Sequence, residues 1–69
     1  MKKQEYWQIM DEIDTMIEEE WKRCNRHCEL NKDCAKEVIH RRSLASTHVG
    51  ALSELRHRLA NMYKPILED

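Results

Sequence analysis

Three cysteines near the middle of the chain are the residues best suited to chemistry. Cys24 and Cys28 are one helical turn apart, and Cys34 follows after a segment that favours a turn. Thiolates with an imidazole, from His27 or His40, are the ligands of a tetrahedral zinc site. The spacing is not the short C-x2-C pattern, and His27 points about 100° away from Cys28 on a helix. We favour free thiols; the alternatives are a Cys28–Cys34 disulfide and a metal site with Cys24, Cys28, Cys34 and His27.

Arginines next to histidines form two basic clusters in the second half of the chain. The candidate nucleic-acid contacts are Arg41, Arg42, Arg56 and Arg58. Lys and Arg on a helix face can contact phosphate groups. The whole chain has 12 Lys and Arg against 13 Asp and Glu, a formal net charge of −1, so it has no overall attraction for nucleic acid. We favour a solvated face with ion pairs to the acidic first half, and phosphate contact is the alternative.

Acidic and aromatic side chains suit the first half of the chain to binding a protein. The acids include Asp11, Glu12, Asp14 and three consecutive glutamates at 18–20. Complementary charge speeds the encounter with a basic partner, and Trp and Tyr are frequent hot-spot residues. The candidate partner-binding residues are Trp7, Asp11, Glu18, Glu19 and Tyr63. The alternatives are a solubilising acidic face and aromatic side chains that belong to the core, as we expect for Trp21.

No grouping for catalysis is present in the sequence. A single Gly excludes a glycine-rich phosphate loop, and the serines and threonine within 43–53 have no evident base beside them. A chain of 69 residues also leaves little room for a ligand pocket of several hundred Å3. We predict no enzymatic activity and no cofactor.

The elements that position these residues are predicted to be helices. One Gly and one Pro in 69 residues are too few turn-forming residues for a sandwich or barrel. From Gln4 to Glu29 the apolar residues recur every three or four positions, which is the period of a helix. They are Tyr6, Met10, Ile13, Ile17, Trp21, Cys24 and Cys28. Asn31 and Asp33 then favour a helix end and a new N-cap.

A heptad spacing of apolar residues predicts a second, longer helix. The positions are Val38, Ala45, Leu52, Leu59 and Ile66, with Arg41 and His48 at core-type places in between. Pro65 should end this helix. The prediction is an all-α antiparallel hairpin with helices over 4–29 and 33–63, followed by a short tail over 65–69, in one domain over 1–69. The alternative is a compact three-helix bundle with a break near Ser46.

The predicted hairpin leaves apolar side chains uncovered. A turn centred near Asn31 places Ile13 opposite Val49 and Asp14 opposite His48. The remaining apolar residues suit the interface of a homodimeric four-helix bundle, in which Arg41 and His48 would fix the register. These dimer-interface residues are Ile9, Met16, Leu44, Leu55 and Met62.

Because the sequence shows no grouping for catalysis, protein binding is the expected function. No apolar run reaches the roughly 18–20 residues that span a bilayer, and the basic start has no apolar segment behind it, so we expect a cytoplasmic protein without membrane contact. By analogy with small charged helical regulators, including phage-encoded ones, we expect a homodimeric inhibitor, anti-activator or adaptor. It would act on a larger regulatory protein, such as a transcription regulator, with a basic or DNA-binding surface. The alternatives are a nucleic-acid-associated regulator and a metal- or redox-responsive switch at the cysteines.

Overall fold

Two α-helices joined by one short turn form an antiparallel hairpin. The computed structural model describes the backbone of residues 2–68 and the side chains of residues 2–64. Helix α1 spans Lys3–Leu30 and helix α2 spans Ala35–Glu68, and no strand occurs within residues 2–68. The two helices pack against each other along their lengths. The prediction of an all-helical hairpin is therefore confirmed.

The turn between the helices is closed by hydrogen bonds of Asn31 and Cys34. The backbone N–H and the side-chain amide of Asn31 both donate to the carbonyl of His27, at 3.0 and 2.9 Å. The N–H of Cys34 donates to the carbonyl of Asn31 at 2.9 Å, and the carbonyl of Cys34 accepts from Val38 at 3.2 Å. Cys34 thus takes the N-cap position expected for Asp33, and α2 begins two residues later than predicted.

Helix α2 is continuous where a break near Ser46 was the alternative. The hydroxyl of Thr47 donates to the carbonyl of Ser43 at 3.1 Å, within the helix. This hydroxyl is therefore used inside a continuing turn and does not cap a new helix. The three-helix alternative is wrong.

The prediction that α2 ends before Pro65 is wrong. The helix continues through Pro65 to Glu68, so the backbone of 65–68 is part of α2 and not a separate tail. Proline has a helical φ, so the backbone can stay helical at Pro65 although the missing N–H removes one hydrogen bond within the helix. The side chains of Ile66 and Leu67, and Asp69 as a whole, lie outside the described part of the chain.

The core is thin and is supplied mainly by α1. Its buried apolar residues are Tyr6, Met10, Ile13 and Cys24 of α1 and Ala45 of α2. All five belong to the predicted apolar stripes, because these stripes follow the helix period. Trp21 does not join them, since 40% of its surface is exposed, and the expectation of a core position for it is wrong.

The alignment of the helices differs from the prediction. Asp14 pairs with Arg56 and not with His48, and the ring of Tyr6 contacts that of Tyr63. His48 contacts Glu20 instead. The turn extends to Cys34 and is not centred on Asn31, which moves the residues of α2 that face α1 towards higher numbers.

Candidate interaction surfaces

One side of the hairpin exposes large apolar side chains from both helices. Spacings of seven residues in α1, and of eleven and seven in α2, place each set on one face of its helix. They are Ile9, Met16, Leu44, Leu55 and Met62, each between 37% and 67% exposed, and we call them the apolar face. Met16 shares a shallow depression with Ala51 and Leu52 across the helix pair. The residues predicted for a dimer interface therefore lie on one side of the molecule.

A buried carboxylate joins the two helices beside the apolar face. Glu20 is 6% exposed, and its Oε1 lies 2.9 Å from Nη1 of Arg41 and 3.1 Å from Nδ1 of His48. Its Oε2 lies 3.4 Å from Nη2 of Arg23 on the same helix. The two polar residues predicted at core-type positions of α2 thus meet on one acid of α1.

The environment of Glu20 favours its ionised form. The hydrogen bond with His48 is the main cause that holds the pKa of this carboxyl below its ordinary value of 4.5. The hydrogen bond and charge of Arg41 act in the same direction, whereas burial opposes them. Glu20 was not among the predicted site residues. Glu20 lies three residues after Ile17 and four before Cys24, which places it on the same helix face as the predicted apolar stripe. This spacing could have predicted that Glu20 is buried.

The cysteines do not form a common site with His27. The thiol of buried Cys24 faces the carbonyl of Arg41 at 3.8 Å, and that of half-buried Cys28 faces the carbonyl of Val38 at 3.9 Å. Cys34 is exposed, and all three are free cysteines, so the Cys28–Cys34 disulfide is not formed. Burial, followed by a hydrogen bond with Cys28, raises the pKa of the Cys24 thiol.

His27, the histidine of the candidate metal set, belongs to the helix–helix contact. Its Nε2 lies 3.4 Å from Oε2 of Glu37 on α2. Within the part of the chain that the structure describes, no group of three or more His, Cys, Asp or Glu side chains is placed to hold a metal ion.

The aromatic and acidic residues of α1 divide between two sides of the helix. Spacings of four, three, four and three residues place one set along a single face. We call this set the outer stripe: Trp7, Asp11, Asp14, Glu18 and Trp21. Of the predicted partner-binding residues, Trp7, Asp11 and Glu18 lie in it. Glu19 lies by the depression with Met16, and half-buried Tyr63 lies 6.1 Å from Tyr6 between ring centroids.

The candidate nucleic-acid contacts are dispersed and mostly paired. Arg41 binds Glu20, Arg56 donates to Asp14 at 2.8 Å, and Arg58 donates to Glu54 at 2.8 Å within α2. Arg42 is exposed on another side of the helix. The four arginines therefore do not lie together in one cluster.

No helix among the described residues is both long enough and apolar enough to span a membrane. Comparison with protein-family models, with curated proteins and with solved structures finds no match to this chain.

Proposed function

We propose that the protein is a small protein-binding regulator that acts as a homodimer. Two hairpins pack through their apolar faces into a four-helix bundle. The observation that supports this most directly is the apolar face itself, since its five large side chains are 37% to 67% exposed in the single chain. Soluble monomers rarely expose a continuous apolar surface of several hundred Å2 unless it binds something.

The accessible surface of the hairpin also fits a second copy as the cover. The chain exposes 5524 Å2, whereas a compact monomer of 8.4 kDa exposes about 4,600 Å2. The excess, about 900 Å2, is close to the roughly 800 Å2 that each partner contributes to a standard interface. The radius of gyration of 15.8 Å likewise exceeds the about 11 Å of a compact chain of this length.

The regulatory role follows from what the chain offers apart from the dimer. A homodimer with two-fold symmetry covers the same surface on both copies and leaves the other sides of the hairpins available. Those sides carry the acidic and aromatic residues of α1. We therefore propose an inhibitor, anti-activator or adaptor of a larger regulatory protein in the cytoplasm.

The oligomeric state in solution tests the proposal. Sedimentation velocity at micromolar concentrations should give a dimer for the natural sequence and a monomer for Met16→Glu combined with Leu55→Glu, because each copy would then bury two charges in the interface. The matched control is Ile39→Glu. Ile39 is exposed on α2 about 140° around the helix from Leu44, so its variant should remain a dimer. A monomeric natural protein with a normal helical circular dichroism spectrum would overturn the homodimer.

A further inference from the structure

We infer that the outer stripe binds a basic amphipathic helix of a partner protein. This inference rests on the proposed function, because it names the kind of partner and the place where that partner binds. It starts from a face of α1 that has exposed tryptophans at both ends and carboxylates between them.

The two tryptophans give the stripe its apolar anchors. Trp7 and Trp21 are 52% and 40% exposed, and they lie about 21 Å apart along the helix axis. The ring of Tyr6 stands edge-on to Trp7 at 5.0 Å between centroids, and Tyr6 is itself buried. Trp7 therefore packs one side of its ring against a buried aromatic side chain and leaves the rest open to a partner.

The charges between the tryptophans select a basic partner. Asp11, Asp14 and Glu18 follow each other at three- and four-residue spacing, and the chain has no Lys or Arg between Lys3 and Lys22. Asp14 is bridged by Arg56 and Glu18 by Lys22, but these pairs are exposed and so contribute little. A partner helix with Lys or Arg at the same spacing can replace them, and Arg can also stack on the indole rings.

The position of the stripe separates it from the proposed dimer interface. Ile9 is two residues from both Trp7 and Asp11, which places it about 200° around α1 from each of them. The four-helix bundle therefore leaves the outer stripe uncovered. The stripe of a second copy carries the same negative charge, and so do the phosphates of nucleic acid; both would be repelled, whereas a basic helix is attracted.

Intrinsic fluorescence can test this inference directly, because both tryptophans of the chain lie in the stripe. The probe is a synthetic Leu/Lys peptide that forms an amphipathic helix, compared with the same peptide carrying Glu in place of Lys. The Lys peptide should change the tryptophan emission and bind with a measurable affinity, and the Glu peptide should do neither. Peptide anisotropy and sedimentation are measured on the same samples.

Two charge-reversed variants make the test specific to the site. Asp11→Lys with Glu18→Lys should weaken peptide binding at least about tenfold. Glu12→Lys with Glu19→Lys has the same spacing and the same change of net charge, but these residues lie on the other side of α1, towards Met16. In samples of this control that still sediment as a dimer, binding should change less than about threefold. Equal losses in both variants would mean attraction by net charge alone and would overturn the inference. If the natural protein sediments as a dimer but does not bind the Lys peptide, the inference is overturned and the homodimer is not. A monomer that binds the peptide would contradict only the dimer.

Discussion

At the scale of single residues, Glu20 decides how the two helices meet. Its carboxylate is held by Arg41 and His48 from α2 and by Arg23 from its own helix. A buried charge is tolerated only when it is paired and hydrogen-bonded, and Glu20 meets both conditions. Removal of this carboxylate would leave Arg41, which is mostly buried, without its partner.

Acidification should therefore weaken the hairpin through Glu20. Because its pKa is lower in the folded chain than its ordinary 4.5, its contribution to the free energy of unfolding is fully present above that value. The contribution is lost as the pH falls through the lowered folded-state pKa. We expect the melting temperature of the natural protein to fall more steeply than that of Glu20→Gln between about pH 5 and pH 3.

Thermal unfolding followed by circular dichroism at a series of pH values measures this difference. Glu12→Gln is the control, since Glu12 is exposed and its loss should leave the slope unchanged. Parallel curves for the natural protein and Glu20→Gln would contradict the assigned role of Glu20.

The polar contact could be predicted only in part from the sequence. The heptad pattern identifies Arg41 and His48 as polar residues at core-type positions, and the structure confirms that both turn towards α1. Glu20 was missed because it lies within a run of three glutamates that resembles a solvated face. Its partners depend on the relative alignment of the helices, which a helix period does not define.

At the scale of elements, α2 is a long helix with one internal glycine. Gly50 has no positive φ, and a Cβ added there would meet no atom within 4 Å. Gly in a helix interior is less stable than Ala by about 0.5–1 kcal/mol, because it loses more backbone entropy on folding. Nothing in the single hairpin requires a glycine at this position.

Gly50→Ala should therefore stabilise the protein by about 0.5–1 kcal/mol, which raises the melting temperature of a domain of this size by about 2–8 °C. The reverse change at its exposed neighbour, Ala51→Gly, should lower it by a similar amount. Circular dichroism melting curves measure both. A lower melting temperature for Gly50→Ala would show that this face of α2 is covered in the assembled protein.

The helices themselves were the part of the fold most open to prediction. Apolar spacing located α1 to within one residue at each end, because the stripe fills the whole helix. The predicted end of α2 was wrong because the residue before Pro65 stays helical despite its preference for an extended backbone. The alignment was wrong because the turn extends to Cys34 and α2 begins two residues later than predicted, which shifts the contacts between the helices.

At the scale of the whole molecule, the hairpin is a rod of 53 × 16 × 12 Å with different chemistry on its opposite sides. The apolar face lies on one side and the outer stripe on the other side of α1. Such a division lets one surface serve assembly and the other serve recognition, so a change on one side need not disturb the other. The distinction was not open to prediction, because acids and aromatic residues of both sides alternate along the same segment of sequence.

The single turn at 31–34 also gives the molecule an order of opening. His27 and Glu37 close a short loop beside the turn, whereas Tyr6 and Tyr63 close almost the entire chain. Loop-closure entropy rises with the number of residues enclosed, so contacts near the turn form first and those at the far end open first. Amide hydrogen exchange should therefore slow along α1 from Trp7 towards Cys24, and uniform exchange would contradict this order. The two helices are therefore held together most firmly at the turn and separate first at the opposite end. A ligand that binds Trp7 would bind at the end that separates first.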